Sequence, residues 1–298
     1  MPLWFVQNKA PAAACVSHWL SIGLRLSRAA LVSMVVLTMA AGFLLASPRG
    51  LSLEHLVWAI LGTASTAAGA STLNQWWEVQ LDRLMRRTAA RPLPAQQLRT
   101  CYAFWGAAGA CACGLCVLAC GTNVLAAALG ACAAAIYVLV YTPLKKRSTL
   151  CTLVGAVCGA IPPLLGWAAA GGSLEAGAWL LAVILYVWQI PHVLALTWLH
   201  RADLRRAGFR ILPLLDSTGR STSQFCLLYS LALVPLSLCL PLTQLASWQS
   251  TAGIAAASVV MVVFSFRLYR QRDDASARAL FRYSLAYLPL IFVLRVAL

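Results

Sequence analysis

Acidic residues are scarce in this chain. There are 8 among 298 residues, against 23 Lys and Arg, and the first is Glu54. Charge of either sign is scarce too, at 10% of residues, where soluble domains carry about 25%. With 61% hydrophobic residues and a mean hydropathy of +0.79, that shortage excludes a water-soluble domain. No long polar stretch interrupts the alternation of apolar spans and short loops. The two domains that length alone would suggest therefore give way to one bundle. No internal repeat is visible. The 11 cysteines are an odd number and lie mostly inside apolar spans, with Cys111, Cys113, Cys116 and Cys120 on one of them. Thiolates are disfavoured in hydrocarbon, so the C-x-x-C at 113–116 reads as small packing residues rather than a metal or redox pair.

What the chain has in quantity is apolar stretches of the roughly 20 residues that a membrane-spanning helix needs. Nine occur, near 29–46, 54–77, 99–120, 123–141, 150–170, 176–199, 225–246, 251–267 and 281–298. The fold expected is an all-α, polytopic membrane protein. Residues 1–28 form an N-terminal lead-in and residues 29–298 a single nine-helix domain. All but Arg49 and Arg295 of the 23 cations fall before the first span or in the loops after the second, fourth, sixth and eighth. By the positive-inside rule the N-terminus is then cytoplasmic and the C-terminus outside. The net charge of +15 follows from this topology and from attraction to anionic headgroups, so nucleic acid is not an expected partner. The acid-poor N-terminus reads as a cytoplasmic lead-in rather than a transit peptide. This favours a bacterial cytoplasmic (inner) membrane, with the mitochondrial inner membrane as the alternative.

Against this background the run Asn74-x-x-x-Glu78-x-x-x-Asp82 stands out. Four-residue steps on a helix put all three side chains on one face, in a ladder about 12 Å long. Two carboxylates at this spacing repel unless a cation lies between them. One reading is an amphipathic helix end, with Asp82 paired to Arg86 and with Trp76 and Trp77 as interfacial anchors. The other is a Mg²⁺ site, because magnesium takes one or two carboxylates plus waters and phosphate oxygens. Arg87 and Arg91 follow closely and suit bidentate phosphate contacts.

Three further clusters fall on the same side. Tyr141-Thr-Pro-Leu-Lys-Lys-Arg-Ser-Thr149 brings Lys145, Lys146 and Arg147, read either as topology signal or as phosphate contacts. Trp188-Gln-Ile-Pro-His192 puts a polar Gln189 and an ionisable His192 near the membrane interior, where such groups are costly and point to function. A histidine satisfied by a freed carbonyl or a headgroup is the alternative. Asp203 stands among Arg201, Arg205 and Arg206, as a solvated ion pair or as a second acidic site. Gly155 and Gly159, followed by Pro162-Pro163, suggest close helix packing with a kink, a break lining a cavity, or both.

Together these residues resemble the protoheme IX farnesyltransferases, the haem O synthase branch of the intramembrane (UbiA-like) aromatic prenyltransferases. The resemblance runs from Asn74-x-x-x-Glu78-x-x-x-Asp82 and Met85-x-Arg87-Thr88-x-x-Arg91-Pro92-Leu93 through Tyr141–Thr149. It continues in Gly155-x-x-x-Gly-Ala-Ile-Pro-Pro-Leu-Leu-Gly-Trp167, Trp188–His192 and Asp203-x-x-x-Ala207-Gly208, covering roughly residues 25–220. It implies nine helices around a central cavity, with farnesyl diphosphate and haem B as substrates and haem O and pyrophosphate as products. It implies that Asn74, Glu78 and Asp82 hold Mg²⁺ and diphosphate, with Asp203 contributing from the opposite side. Arg87, Arg91, Lys145, Lys146 and Arg147 would bind the diphosphate, and His192 would lie near the porphyrin or the reacting carbons, as a catalytic group. A haem A synthase or an oxidase assembly partner is implied downstream. Two departures are visible. Position 207 is Ala, which leaves Asp203 alone in its motif and weakens the alternative of prenyl transfer to a quinone precursor. The family's Lys-Pro-Arg before the first helix reads Leu26-Ser27-Arg28. A transporter, the reading from another class, would typically hold its site at mid-membrane on broken helices, whereas these acids lie at helix ends.

Overall fold

The computed structural model describes residues 21–46, 50, 52–171 and 173–297, and side chains as far as residue 291. Most of the expected lead-in, Lys9 included, lies outside the described residues, as do Arg49 and the Arg295 side chain. Among the described residues the chain is helical without strands. The long helices are α1 (Ala29–Ala46), α2 (Leu53–Trp77), followed by a short α3 (Val79–Leu84), α4 (Thr100–Gly121) and α5 (Val124–Ala135). Helix α5 continues through a π-helical turn, Ile136–Tyr141, into Thr142–Leu144. Then come α6 (Cys151–Ala169), α7 (Ala176–Leu199), the short α8 (Arg201–Arg206) and α9 (Leu212–Leu215), α10 (Arg220–Leu238), α11 (Trp248–Gln271) and α12 (Asp274–Ala297). Eight of these helices are long and apolar enough to cross a membrane. The expected ninth span falls on α12, whose last side chains are outside the described residues.

Three helix starts are set by side-chain caps, which satisfy backbone N–H groups that have no partner within the helix. Ser52 Oγ accepts from His55 N–H, Asn123 Oδ1 from Ala126 N–H, and Ser247 Oγ from Ser250 N–H. The last three helices begin earlier than apolarity suggests. Helix α10 starts at Arg220 because the Asp216 carboxylate accepts from both the N–H and the hydroxyl of Thr222, at 2.8 and 2.9 Å. Helix α11 runs on to Gln271, and the left-handed Arg272 then turns the chain directly into α12.

Helix α2 packs on α4, α1 on α6, and α7 on α6, α10 and α12. The α1–α6 contact is backbone to backbone. A Cβ on Gly166 would lie 1.8 Å from the Met39 carbonyl oxygen, so only glycine permits this approach. Helix α6 runs unbroken through the buried Pro162 and Pro163, the latter packed on Gly42 of α1, so the expected break at that point is not formed.

At one end of the bundle the loops are tied together. Gln75 Nε2 donates to the carbonyls of Arg25 and Leu26, Arg28 Nη1 to Tyr137 Oη, and Arg210 N–H to the Lys145 carbonyl. Met85, Cys151, Phe209, Ile211 and Leu214 form a small apolar cluster beneath them. The candidate residues stand on this end.

Candidate active site

Asn74, Glu78 and Asp82 share one face, but not on a single uninterrupted helix. Helix α2 ends at Trp77 and α3 begins at Val79, with Glu78 as the pivot at φ −95°, ψ 9°. Hydrogen bonds bridge the pivot and keep the four-residue spacing, from Glu78 N–H to the Asn74 carbonyl (3.0 Å) and from Asp82 N–H to the Glu78 carbonyl (2.8 Å). All three are buried. Arg86 is exposed, and the partner of Asp82 is Arg91, nine residues on, with Nη1 2.7 Å from Oδ2. The turn that brings Arg91 back is closed by Thr88, whose hydroxyl donates to the Asp82 carbonyl at 2.9 Å. Trp77 is exposed, as an interfacial anchor would be, whereas Trp76 packs on Phe104.

Lys145 descends on the ladder from α5 and pairs with Glu78. The π turn makes this possible by inserting an extra residue, which turns the end of the helix inward. It also stacks Tyr137 on Tyr141, with centroids 5.6 Å apart, and sets Thr142 against Asn74, whose Nδ2 donates to Thr142 Oγ1 at 2.9 Å. Burial pulls the Lys145 ammonium below its ordinary range, and Glu78 opposes that shift. Burial and the nearby Arg28 likewise lower Arg91, with Asp82 opposing.

The remaining expected residues are more open. Arg87, Lys146 and Arg147 are exposed at the rim. Asp203, on α8, pairs with Arg206 and is not gathered with Glu78 and Asp82. Among the described residues no three His, Cys, Asp or Glu side chains form a metal-binding group. His200 links the two sides electrostatically: partial burial and Arg87 lower its pKa, and Asp203 raises it.

Beneath the ladder lies a cavity of about 490 Å³, within the usual range for ligand pockets. Helices α1, α2, α5, α6, α7 and α12 line it, and its walls are mostly apolar. Tyr137, Tyr141 and Ser71 lie toward the ladder; Gln189 and His192 face in from α7. Gly155 and Gly159 make room for side chains here. A Cβ on Gly159 would meet Gln189 Oε1 at 2.1 Å, and Gln189 Nε2 donates to the Ala156 carbonyl at 2.6 Å. His192 Nδ1 pairs with the Ser284 hydroxyl rather than with a freed carbonyl.

Sequence reasoning missed three residues of this end. Arg28, in the degraded motif, reaches Tyr137 and bears on the charge of both Arg91 and Lys145. Its signal was position, a lone cation one residue before an apolar span. Gln75 and Thr142 had none, because polar side chains that latch helices together have no spacing of their own.

The donor set suits a divalent cation that arrives with phosphate. Asp82 Oδ1 and Asn74 Oδ1 are buried acceptors with no donor among the described residues, and such groups are costly unless something fills them. Two carboxylates and an amide oxygen leave positions for waters and phosphate oxygens, as Mg²⁺ prefers. Lys145, Arg91 and Arg28 bring the positive charge that a leaving diphosphate needs.

Comparison with known proteins identifies the family. Residues 35–288 match the UbiA prenyltransferase family. The chain is 36% identical to the protoheme IX farnesyltransferase of Solibacter usitatus over 244 residues, covering 82% of this chain and 84% of that one. It is 35% identical to the Rhodopirellula baltica protein of the same name, covering 92% and 100%. The human mitochondrial protein of that name is 38% identical, with 91% of this chain and 60% of that one covered. Solved structures share the fold at low identity. A digeranylgeranylglyceryl phosphate synthase matches with a TM-score of 0.79 at 16% identity, over 93% of this chain and 97% of that one. A UbiA homologue from Archaeoglobus fulgidus, bound to DMAPP and Mg²⁺, matches at 0.67 and 18%, over 93% and 99%. The chain is thus a multi-pass membrane enzyme of the UbiA prenyltransferase family, in the branch of the protoheme IX farnesyltransferases.

Proposed function

We propose that this enzyme transfers the farnesyl group of farnesyl diphosphate to a vinyl group of haem B, giving haem O and pyrophosphate. The observation that carries the reading is the buried Asn74–Glu78–Asp82 face, with its unfilled oxygens and paired cations, at the polar end of an apolar cavity. The relatives that share the chain's sequence bear the name of this activity.

Asn74, Glu78 and Asp82 are the residues that would hold Mg²⁺, which when bound neutralises the departing pyrophosphate. Lys145, Arg91 and Arg28 turn to the phosphate oxygens, and Arg87, Lys146 and Arg147 receive the diphosphate at the rim. Asp203 completes the site from the opposite side once Arg206 turns to phosphate. The C–O bond to diphosphate breaks, and the allylic carbon bonds to the terminal vinyl carbon. A water oxygen then adds to the inner vinyl carbon and loses a proton. The apolar walls keep other water from the allylic cation. The described part of α12 and α1 both line the cavity without extended packing between them, which leaves a side route for two membrane-borne substrates. Relatives come from bacteria and from mitochondria, and we assign the chain to an inner membrane of that kind.

The test is direct. Purified enzyme with Mg²⁺, farnesyl diphosphate and haem B should yield farnesylated haem by mass spectrometry, and chelation should stop it. Unmodified haem alongside a prenylated aromatic acid would replace this reading with the quinone one.

A further inference from the structure

The cavity presents one imidazole that the diphosphate end does not use. His192, on α7, stands between Trp188 and Phe281, with ring centroids 5.1 and 5.0 Å away and interplanar angles of 22° and 32°. Its Nδ1 lies 2.8 Å from Ser284 Oγ on α12. Ser284 Oγ in turn lies 2.6 Å from the Phe281 carbonyl oxygen. Without a proton between them, those two oxygens would face each other lone pair to lone pair. The single hydroxyl proton of Ser284 therefore lies on that line, and Ser284 donates to Phe281. Its oxygen must then accept from His192, so Nδ1 carries the imidazole proton and Nε2 is left with a free lone pair. Nε2 has no hydrogen-bond partner among the described residues, and His192 lines the cavity. Trp188 Nε1 donates to the Ser284 carbonyl at 3.1 Å, which fastens α7 to α12 at the same level.

A metal-ligating histidine almost always donates its other ring N–H to a neighbour, which fixes the tautomer and raises the basicity of the ligating nitrogen. His192 has that arrangement, yet among the described residues no pair of further His, Cys, Asp or Glu side chains joins it to hold a free ion. A solitary imidazole suits a metal that arrives with most of its coordination sphere filled. Iron held by a porphyrin is such a metal, since a single histidine suffices as its axial ligand.

We propose that Ser284 is a positioning residue that sets His192 so that Nε2 becomes the axial ligand of the acceptor porphyrin's iron. This rests on the haem reading above. The aromatic clamp holds the imidazole plane, and the Phe281–Ser284–His192 chain holds its proton. Together they fix where the iron, and hence the porphyrin edge, sits in the cavity.

The experiment titrates the full-length purified protein with haem B and, separately, with metal-free protoporphyrin IX. It records affinity, the Soret band and the Fe–His stretching frequency. Wild type should give a histidine-ligated spectrum and bind haem more tightly than the free base. His192→Ala should abolish that spectrum and the preference for haem, and added imidazole should restore the spectrum. Ser284→Ala should weaken haem binding about tenfold and lower the Fe–His frequency, with free-base affinity unchanged. The proposal is overturned if His192→Ala leaves the haem spectrum as it was. It is equally overturned if Ser284→Ala weakens haem and free base alike, or changes neither. Should haem be prenylated while both variants retain the wild-type spectrum, this inference alone fails. If haem is neither bound nor prenylated, the functional reading fails with it.

Discussion

Lys145 and Glu78 form an ion pair inside the protein, the lysine 8% and the glutamate 3% exposed. Beside them Arg91 holds Asp82 at 2.7 Å. Before substrate arrives, Glu78 and Asp82 thus each have a cation, and Lys145 and Arg91 each a carboxylate. A metal–diphosphate complex carries both charges needed to exchange these partners, and the exchange leaves no buried charge alone. Either component by itself would strand one, which makes metal and diphosphate binding interdependent.

Lys145→Met should destabilise the protein by about 3–5 kcal/mol, because Glu78 is left buried without its cation. Adding Glu78→Gln should recover most of that loss while pyrophosphate release stays absent. Thermal unfolding in detergent, run on both single variants and the double, measures the coupling. A double variant no more stable than the singles would show that the pair does not hold the loops.

Asp82→Asn keeps the shape of the side chain and removes one carboxylate of the proposed metal site. Pyrophosphate release should fall about 10²–10³-fold, the usual cost of losing one charge-stabilising group. Haem binding, followed by absorbance, should persist. A wild-type rate would remove Asp82 from the site.

Two glycine substitutions should separate packing from chemistry. Gly166→Ala drives a methyl into the Met39 carbonyl oxygen, which cannot yield without moving α1. The expected cost is about 1–3 kcal/mol in unfolding free energy. Gly159→Ala meets only the end of the Gln189 side chain, which can swing away. Its melting temperature should change little, while kcat falls because the Gln189 amide is dislodged into the cavity.

Asp216 gives a pH prediction at a group outside the proposed metal and diphosphate contacts. Partial burial pushes its carboxyl up, but the Thr222 N–H and hydroxyl, with Thr218 and Gly219, pull it down further, to a net value below 3.8. A depressed carboxyl stabilises the folded state above its unfolded pKa and loses that effect as pH falls through the folded value. Asp216→Ala should therefore cost about 1 kcal/mol at neutral pH, as lost helix caps do. The difference from wild type should shrink below pH 3.8, and unfolding measured from pH 7 to 3 checks it.

The helices were legible because lipid imposes length and apolarity on every span, and the clustering of cations marked the loops that meet at one end. The polar ladder was legible as a four-residue spacing. Its partners were not. Arg91 reaches Asp82 through a turn closed by Thr88, and Arg86, at helical distance, points away. Ser284 supports His192 from 92 residues further along the chain. Contacts made by loop closure or across helices leave no period in a sequence. The early starts of α10 and α12 were hidden for another reason: Arg220 and Asp274 are polar, and capping and chain reversal, rather than apolarity, determine where those helices begin.

The π turn at Ile136–Tyr141 also constrains how such a chain can vary. Each helical residue rotates its successor by about 100°. Removing a single residue from this turn would swing Lys145 away from Glu78 and Thr142 away from Asn74 together, while every side chain of the site remained in the sequence. Substitutions at Ile136, Val138, Leu139 and Val140, which make none of these contacts, can be absorbed one at a time. A one-residue deletion cannot, so the segment from Ile136 to Lys145 should be held to a fixed length even where its apolar residues vary.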